Sequence, residues 1–242
     1  MKKFFSFQII KQSFKSVWIW WLISIFLVSI NLFAFPSSIG ADNSKLLSIF
    51  AYEGLGGNGI FSIMICSILF ANVLITSEID RGTLAITLNT PVTRLQILLS
   101  KALVFIVLLT SISLFSGICG SISPLLYGLE FEHTKWWIIM GLWSLYSFAM
   151  GGITFLIGCW FNKSRYTLGV SSVLLGIFFV LAMLSTMKDL EFCKYFTLQT
   201  LFDVTAIVEG KSVFWQMITL PSIAIPLYIG GIICFVKKDL PL

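Results

Sequence analysis

The chain has 242 residues, of which 57% are hydrophobic and 11% charged, with a mean hydropathy of +0.96 and a formal net charge of +5. Soluble domains carry about a quarter charged residues, so this composition excludes an ordinary soluble protein and defines an integral membrane protein. Crossing about 30 Å of hydrocarbon takes roughly 20 apolar residues in a helix, and six stretches reach that length, leaving no room for a separate soluble enzymatic domain.

In chain order, the first sixteen residues place Phe7, Ile10, Phe14 and Val17 on one helical stripe beside Gln8, Lys11, Gln12 and Lys15. That pattern predicts an interfacial helix over 1–16, lying against the inner leaflet before the chain turns to cross. The spans follow at 17–35, 59–76, 102–123, 136–160, 167–187 and 213–236. The run from Pro36 to Asn58, ending in Glu53-Gly54-Leu55-Gly56-Gly57-Asn58, reads as a glycine-rich outer loop. Trp136, Trp137 and Trp143 stand at or near the start of the fourth span, where indole rings favour the headgroup region. Pro221, Pro226 and the pair Gly151-Gly152 lie within spans and predict kinks, because neighbouring helices can re-satisfy the backbone. Between spans five and six, 188–212 is too polar to cross and too apolar for a solvated loop, which predicts a short helix or a pair packed at the outer membrane surface. Continuous apolar runs favour an all-α bundle over a barrel, whose strands would alternate over about ten residues. The whole chain, 1–242, reads as one domain.

Charge sets the expected topology. With the N-terminus inside, the inner segments hold Lys2, Lys3, Lys11, Lys15, Arg81, Arg94, Lys101, Lys163, Arg165, Lys237 and Lys238. The outer ones hold Lys45, Lys135, Lys188, Lys194 and Lys211. Acidic residues run the other way, with Glu78, Asp80 and Asp239 inside. Six spans with both termini cytoplasmic therefore satisfy the positive-inside rule, and the basic excess needs no nucleic-acid partner.

Catalytic chemistry is sparse. The single histidine, His133, falls in an outer loop with Glu130 and Glu132, which argues against a histidine metal site or a serine hydrolase. The spans offer hydroxyls and amides such as Asn31, Asn72, Thr110, Ser111, Ser144, Tyr146, Ser171 and Ser172, and no acidic or basic relay. Small residues such as Ser113, Gly117, Ser147, Gly151 and Gly158 predict close helix approach. Five cysteines without a CxxC pair read as small buried hydrophobes. Gly210-Lys211-Ser212 ends like a phosphate-binding loop, but Thr205 stands where that loop requires glycine, so no nucleotide is bound by this route.

One polar island interrupts the apolar pattern. Ser77-Glu78-Ile79-Asp80-Arg81-Gly82-Thr83-Leu84 closes the second span, and Leu84, Ile86 and Leu88 follow on a short amphipathic stretch. Thr90-Pro91 reads as N-cap and first residue of a new helix that carries Arg94 and Lys101. The expected result is a short helix parallel to the bilayer, braced by two spans, exposing side chains to the cytosol.

At Glu78, Gly82, Thr83, Leu84, Leu88, Pro91, Val92, Thr93, Arg94 and Lys101 the sequence resembles the ABC-2 type transporter permease family. The motif covers about a tenth of the chain, and the six-span plan extends the resemblance over nearly all of it. The resemblance implies a non-catalytic membrane subunit in the bacterial cytoplasmic membrane, paired with a second permease copy or paralogue and with two separate ATP-binding cassette ATPase subunits. ATP and magnesium would be bound by those partners and no cofactor by this chain. The island becomes a coupling helix, with Leu84, Leu88 and Pro91 giving shape, Arg81 and Arg94 giving polar contacts, and Glu78, Gly82 and Thr83 completing it. Members of this size imply export of an amphipathic peptide, lantibiotic-like toxin or antibiotic; lipid or polysaccharide export stays open. An ATPase-independent channel, sensor or intramembrane enzyme is the rival, and no polar pore ring or buried catalytic pair speaks for it.

Overall fold

The computed structural model describes residues 6–38, 47, 50–84, 92–127, 131–185 and 187–238. Among these there is no strand, and six helices are long and apolar enough to cross a membrane. We number them α1 (Phe7–Ser38), α2 (Gly54–Asp80), α3 (Arg94–Leu126), α4 (His133–Trp160), α5 (Ser164–Leu184) and α6 (Phe214–Lys237).

The 32 residues of α1 run without a break, so no turn separates the expected interfacial segment from the first span. The candidate span within it, Phe7–Ile30, begins at the residues read as interfacial. The start of α2 also departs from the sequence reading. Phe50–Gly59, expected as loop, is wound as a π-helix that feeds directly into Ile60–Ala71. A second π-helical turn, Asn72–Thr76, interrupts α2 before its last turn, Ser77–Asp80.

The helix α3 begins later than Thr90-Pro91 implies. Val92 and Thr93 are not helical, and Thr93 is the N-cap in a reciprocal capping box: Gln96 N donates to Thr93 Oγ1 at 3.3 Å and Thr93 N to Gln96 Oε1 at 3.0 Å. Two of the helix's orphan donors are thereby satisfied. Proline breaks neither α3, which contains Pro124, nor α6, which runs through Pro221 and Pro226.

In hydrocarbon, helices associate through close packing and interhelical hydrogen bonds, since lipid is as apolar as leucine. Gly117, Gly151 and Gly158 serve that packing as expected. A Cβ at Gly151 would stand 2.5 Å from Leu109 Cδ1 and 2.8 Å from Tyr228 Oη, so its absence lets α3 and α6 close on α4. Tyr228 sits in this seam against Phe105, Phe148 and Phe155. The seam between α1 and α3 is polar: Trp21 Nε1 donates to Ser111 Oγ at 2.8 Å, and Ser123 Oγ to the Leu32 carbonyl at 3.1 Å.

Of the tryptophans expected at the headgroups, only Trp137 is exposed; Trp136 and Trp143 are fully buried. Trp136 packs against Gly120 and donates its Nε1 to the Gly117 carbonyl at 2.9 Å, an α3 site open only because Gly120 lacks a side chain. The most enclosed spans are α2 and α4, whereas α1, α5 and α6 are largely uncovered.

Three short helices, Lys188–Phe196, Leu198–Leu201 and Val204–Val208, fill the connection between α5 and α6. The one or two helices expected there are thus three, because Thr197 and Asp203 each cap a new start. Gly210-Lys211-Ser212 is the stop of the last of them: Gly210 adopts φ +77°, and Lys211 N donates back to the Ala206 carbonyl at 2.7 Å. This left-handed ending explains the glycine.

Candidate functional site

The polar island lies at the end of the bundle where α2 stops and α3 begins, here called the Arg94 end. Its most informative feature is an ion pair. Glu78, in the last turn of α2, meets Lys101, two turns into α3, with Nζ and Oε2 2.6 Å apart; their side chains are 13% and 2% exposed. Lys101 also donates to the Leu74 carbonyl, inside the π-helical turn. Widening a helix to i→i+5 bonding disturbs its regular carbonyl ladder, and here the disturbed stretch supplies an acceptor for the ammonium. The expectation that the spans hold no buried charge is corrected: α3 extends past Lys101, and the pair sits inside the bundle's end.

Other contacts at this end tie all six spans together. Asp80 Oδ2 accepts from the backbone N of Ser164 at 3.2 Å, so the last residue of α2 caps the first residue of α5. A carboxylate at a helix N-terminus is favoured by the exposed amides and the helix dipole. Thr76 Oγ1 donates to the Gly158 carbonyl at 3.1 Å and lies 3.0 Å from Thr167 Oγ1, joining α2, α4 and α5. Arg94 Nη1 donates to the Lys238 carbonyl at 3.1 Å, and Lys238 Nζ donates to the carbonyls of Cys159, at 3.2 Å, and Trp160. The first residue of α3 thus holds the end of α6, which in turn caps the last carbonyls of α4. Partial burial shifts the Lys238 ammonium below the ordinary lysine range. At the start of α1, Ser6 N donates to Ser100 Oγ at 3.1 Å.

The residues singled out in the sequence fall into three groups. Arg81, Gly82 and Thr83 form an exposed turn: Gly82 adopts φ +69° with open space around its Cβ position, Gly82 N donates to the Ile79 carbonyl at 3.0 Å, and Thr83 Oγ1 to that of Glu78 at 3.2 Å. Thr83 and Leu84 are again helical. Glu78, Leu84 and Arg94 are drawn inward. Leu84 is only 2% exposed and holds the connection against the bundle. Leu88 and Pro91, with Thr90 and Ile86, lie outside the described residues. Sequence reasoning missed the Thr93–Gln96 box, although Thr-x-x-Gln before an apolar run is its signal. It also missed Asp80 and Lys238 as caps, which no local pattern encodes.

At the opposite end, Glu132 pairs with Lys135 at 2.8 Å, and His133 is the first residue of α4. Glu130, its expected companion, lies outside the described residues. No cluster of metal-ligating side chains occurs among the described residues.

A model of the ABC-2 family transporter proteins matches residues 10–183, well over half of the chain, from α1 through α5 and across the whole polar island. The chain belongs to the ABC-2 transporter family. It is a multi-pass membrane permease of an ABC transporter, a class of subunit that works with an ATPase partner and is generally non-catalytic itself. No curated protein sequence matches it. In this permease the matched segment contains both halves of the buried ion pair, whereas α6 and Lys238 at its end lie beyond the match.

Proposed function

We propose that this permease exports an amphipathic substrate, with a peptide, lantibiotic-like toxin or antibiotic as the favoured cargo, across the bacterial cytoplasmic membrane. The Arg94 end faces the cytosol, where the positive-inside rule puts the richer share of basic residues. There the connection between α2 and α3 seats against a separate ATPase, which binds ATP and magnesium. Two permease chains and two ATPases make the working unit, and the uncovered faces of α1, α5 and α6 leave room for the second permease.

The observation that carries this reading is the Glu78–Lys101 pair. A connection mounted on two helices transmits force only if its ends cannot slide, and a buried charge pair with a third contact to Leu74 fixes both ends. Through Asp80 and Arg94 the same displacement reaches α5, α6 and α4. Closure of an ATPase pair would then shift several packed spans together, the kind of rigid-element movement that opens and closes a path. The scarcity of charge supports this cargo class: among the described residues of the spans, the buried polar side chains are hydroxyls, an amide, thiols and indole N–H groups, apart from Lys101, which is paired with Glu78. Spans of that kind suit an apolar or amphipathic solute better than a multiply charged one.

The test uses the permease with its ATPase in nanodiscs. Arg81→Glu, on the exposed turn, is expected to weaken assembly or uncouple hydrolysis from transport while leaving the bundle folded, and Gly82→Trp to do the same. Unchanged assembly and coupling in both variants would reduce the island to an anchor. Hydrolysis stimulated by lipid and by no amphipathic peptide or drug would replace the cargo assignment.

A further inference from the structure

The helices α4 and α6 run parallel and finish side by side at the Arg94 end, where Lys238 Nζ donates to the Cys159 carbonyl at 3.2 Å. Glycines on both helices empty the seam between them. A Cβ at Gly152 would stand 3.2 Å from Leu227 Cβ and 3.3 Å from the Ala224 carbonyl oxygen, and a Cβ at Gly231 only 3.3 Å from Leu156 Cα. Adding one C–C bond of about 1.5 Å puts the Cα atoms of Leu156 and Gly231 within about 5 Å of each other. Backbone therefore meets backbone with no side chain between.

These contacts fix the register. Gly152 faces Leu227 and Leu156 faces Gly231, in each case a residue of α6 numbered 75 higher than its neighbour on α4. Alternating steps of four and three residues keep one face of a helix toward its partner. The pair that follows Leu156 and Gly231 is then Cys159 and Cys234, at the same offset. The two thiols are close enough to interact electrostatically. Cys159 is fully buried, Cys234 is half-buried, and both are free. A disulfide needs Cα atoms about 4.4–6.8 Å apart, a separation that two helices reach where glycine lets their backbones touch. No such seam surrounds Cys66 and Cys119, whose thiols donate to Ser24 Oγ at 3.0 Å and Ser29 Oγ at 3.5 Å on α1.

We propose that Cys159 and Cys234 are a redox-sensitive pair that closes into a disulfide between α4 and α6 when a peroxide reaches the Arg94 end of the bundle. The half-buried thiol, Cys234, reacts first: its sulfur takes a hydroxyl from the peroxide, the O–O bond breaks, and the thiol proton leaves with the second oxygen as water. Cys159 then attacks the sulfenic sulfur, the S–S bond forms, and the hydroxyl departs with the Cys159 proton as a second water. Two electrons pass from the thiols to the peroxide, and exchange with a small thiol such as glutathione returns both cysteines to the reduced form. Disulfides facing a reducing compartment are transient and serve sensing more often than structure. Closed, the bond holds α4 and α6 in one register beside the Lys238 cap, so that α6 cannot shift on α4. That this end meets the cytosolic thiol pool rests on the orientation proposed above, whereas the pairing of the two thiols does not.

The experiment treats the full-length permease in nanodiscs with hydrogen peroxide, alkylates the remaining thiols under denaturing conditions, reduces, and marks the newly released thiols with an isotopically heavy reagent. Cys159 and Cys234 should convert in one-to-one proportion while Cys66 and Cys119 stay unconverted. Before reduction, a peptide pair linked through Cys159 and Cys234 should be found by mass spectrometry. Oxidation should raise the thermal unfolding midpoint, and dithiothreitol should reverse both changes. Cys234→Ser should abolish the linked peptide and the rise in midpoint. Cys159→Ala should leave Cys234 as a sulfenic acid that a 1,3-diketone traps. Both thiols remaining free in the unsubstituted protein, a link between Cys234 residues of two copies, or oxidation of Cys159 undiminished in Cys234→Ser would overturn the assignment. None of these readouts involves the ATPase or a cargo, so their failure is distinct from failure of the export reading.

Discussion

Removing one partner of the Glu78–Lys101 pair should cost far more than removing both. The groups are 13% and 2% exposed and 2.6 Å apart, and orphaning one charge of a buried pair costs about 3–5 kcal/mol. Neutralisation sets the ceiling. Protonating an ordinary glutamate at pH 7 takes about 4 kcal/mol, and deprotonating an ordinary lysine about 5 kcal/mol, so neither single variant can lose much more than its own figure. Lys101→Met leaves a carboxylate that becomes cheaper to protonate as the pH falls, and its deficit should shrink to about 1 kcal/mol at pH 5. Glu78→Gln leaves an ammonium, so its deficit should shrink as the pH rises. The double variant, with no buried charge, should regain more than half of either loss. Reversible unfolding in mixed micelles, followed through the chain's eight tryptophans, measures all four proteins across pH. If the single losses simply add in the double variant, or if both pH slopes have the same sign, the pair is not a buried, mutually dependent unit and the clamp argument fails.

Two further substitutions test the packing and the start of α3. Gly120→Ala would put a Cβ 2.1 Å from Trp136 Cζ2, on a fully buried ring held by its bond to Gly117. We expect a loss of about 1–3 kcal/mol in the same unfolding assay, against a change within about 0.5 kcal/mol for Gly141→Ala, which meets open space. Thr93→Ala removes one side of the capping box and should cost about 1 kcal/mol. Faster amide exchange should appear at Gln96, whose N–H loses its acceptor, and protection unchanged there would place the helix start elsewhere.

The sequence alone determined the class of molecule and most of its plan, because the requirement to satisfy the backbone in lipid is so severe that length and apolarity suffice to find a span. Six spans were legible, with ends that shifted by up to ten residues: α1 absorbed the segment read as interfacial, and α3 reached back over Lys101. The family resemblance was legible too, since the island's residues are local and stand out against an apolar background. The bland role of Gly210-Lys211-Ser212 was also foreseeable from one missing glycine.

What the tertiary structure decided is which charged residues look outward. Glu78, Arg81 and Arg94 are charged residues of one polar island, yet the fold pairs Glu78 with Lys101, ties Arg94 to Lys238 and leaves Arg81 on the surface. Trp136 and Trp143 read as headgroup anchors until Gly120, on another helix, made room for the first of them inside. Such partners lie up to 144 residues apart in the chain. Periodicity reports the face a residue occupies on its own helix, whereas only the packing of helices against one another fixes what that face meets.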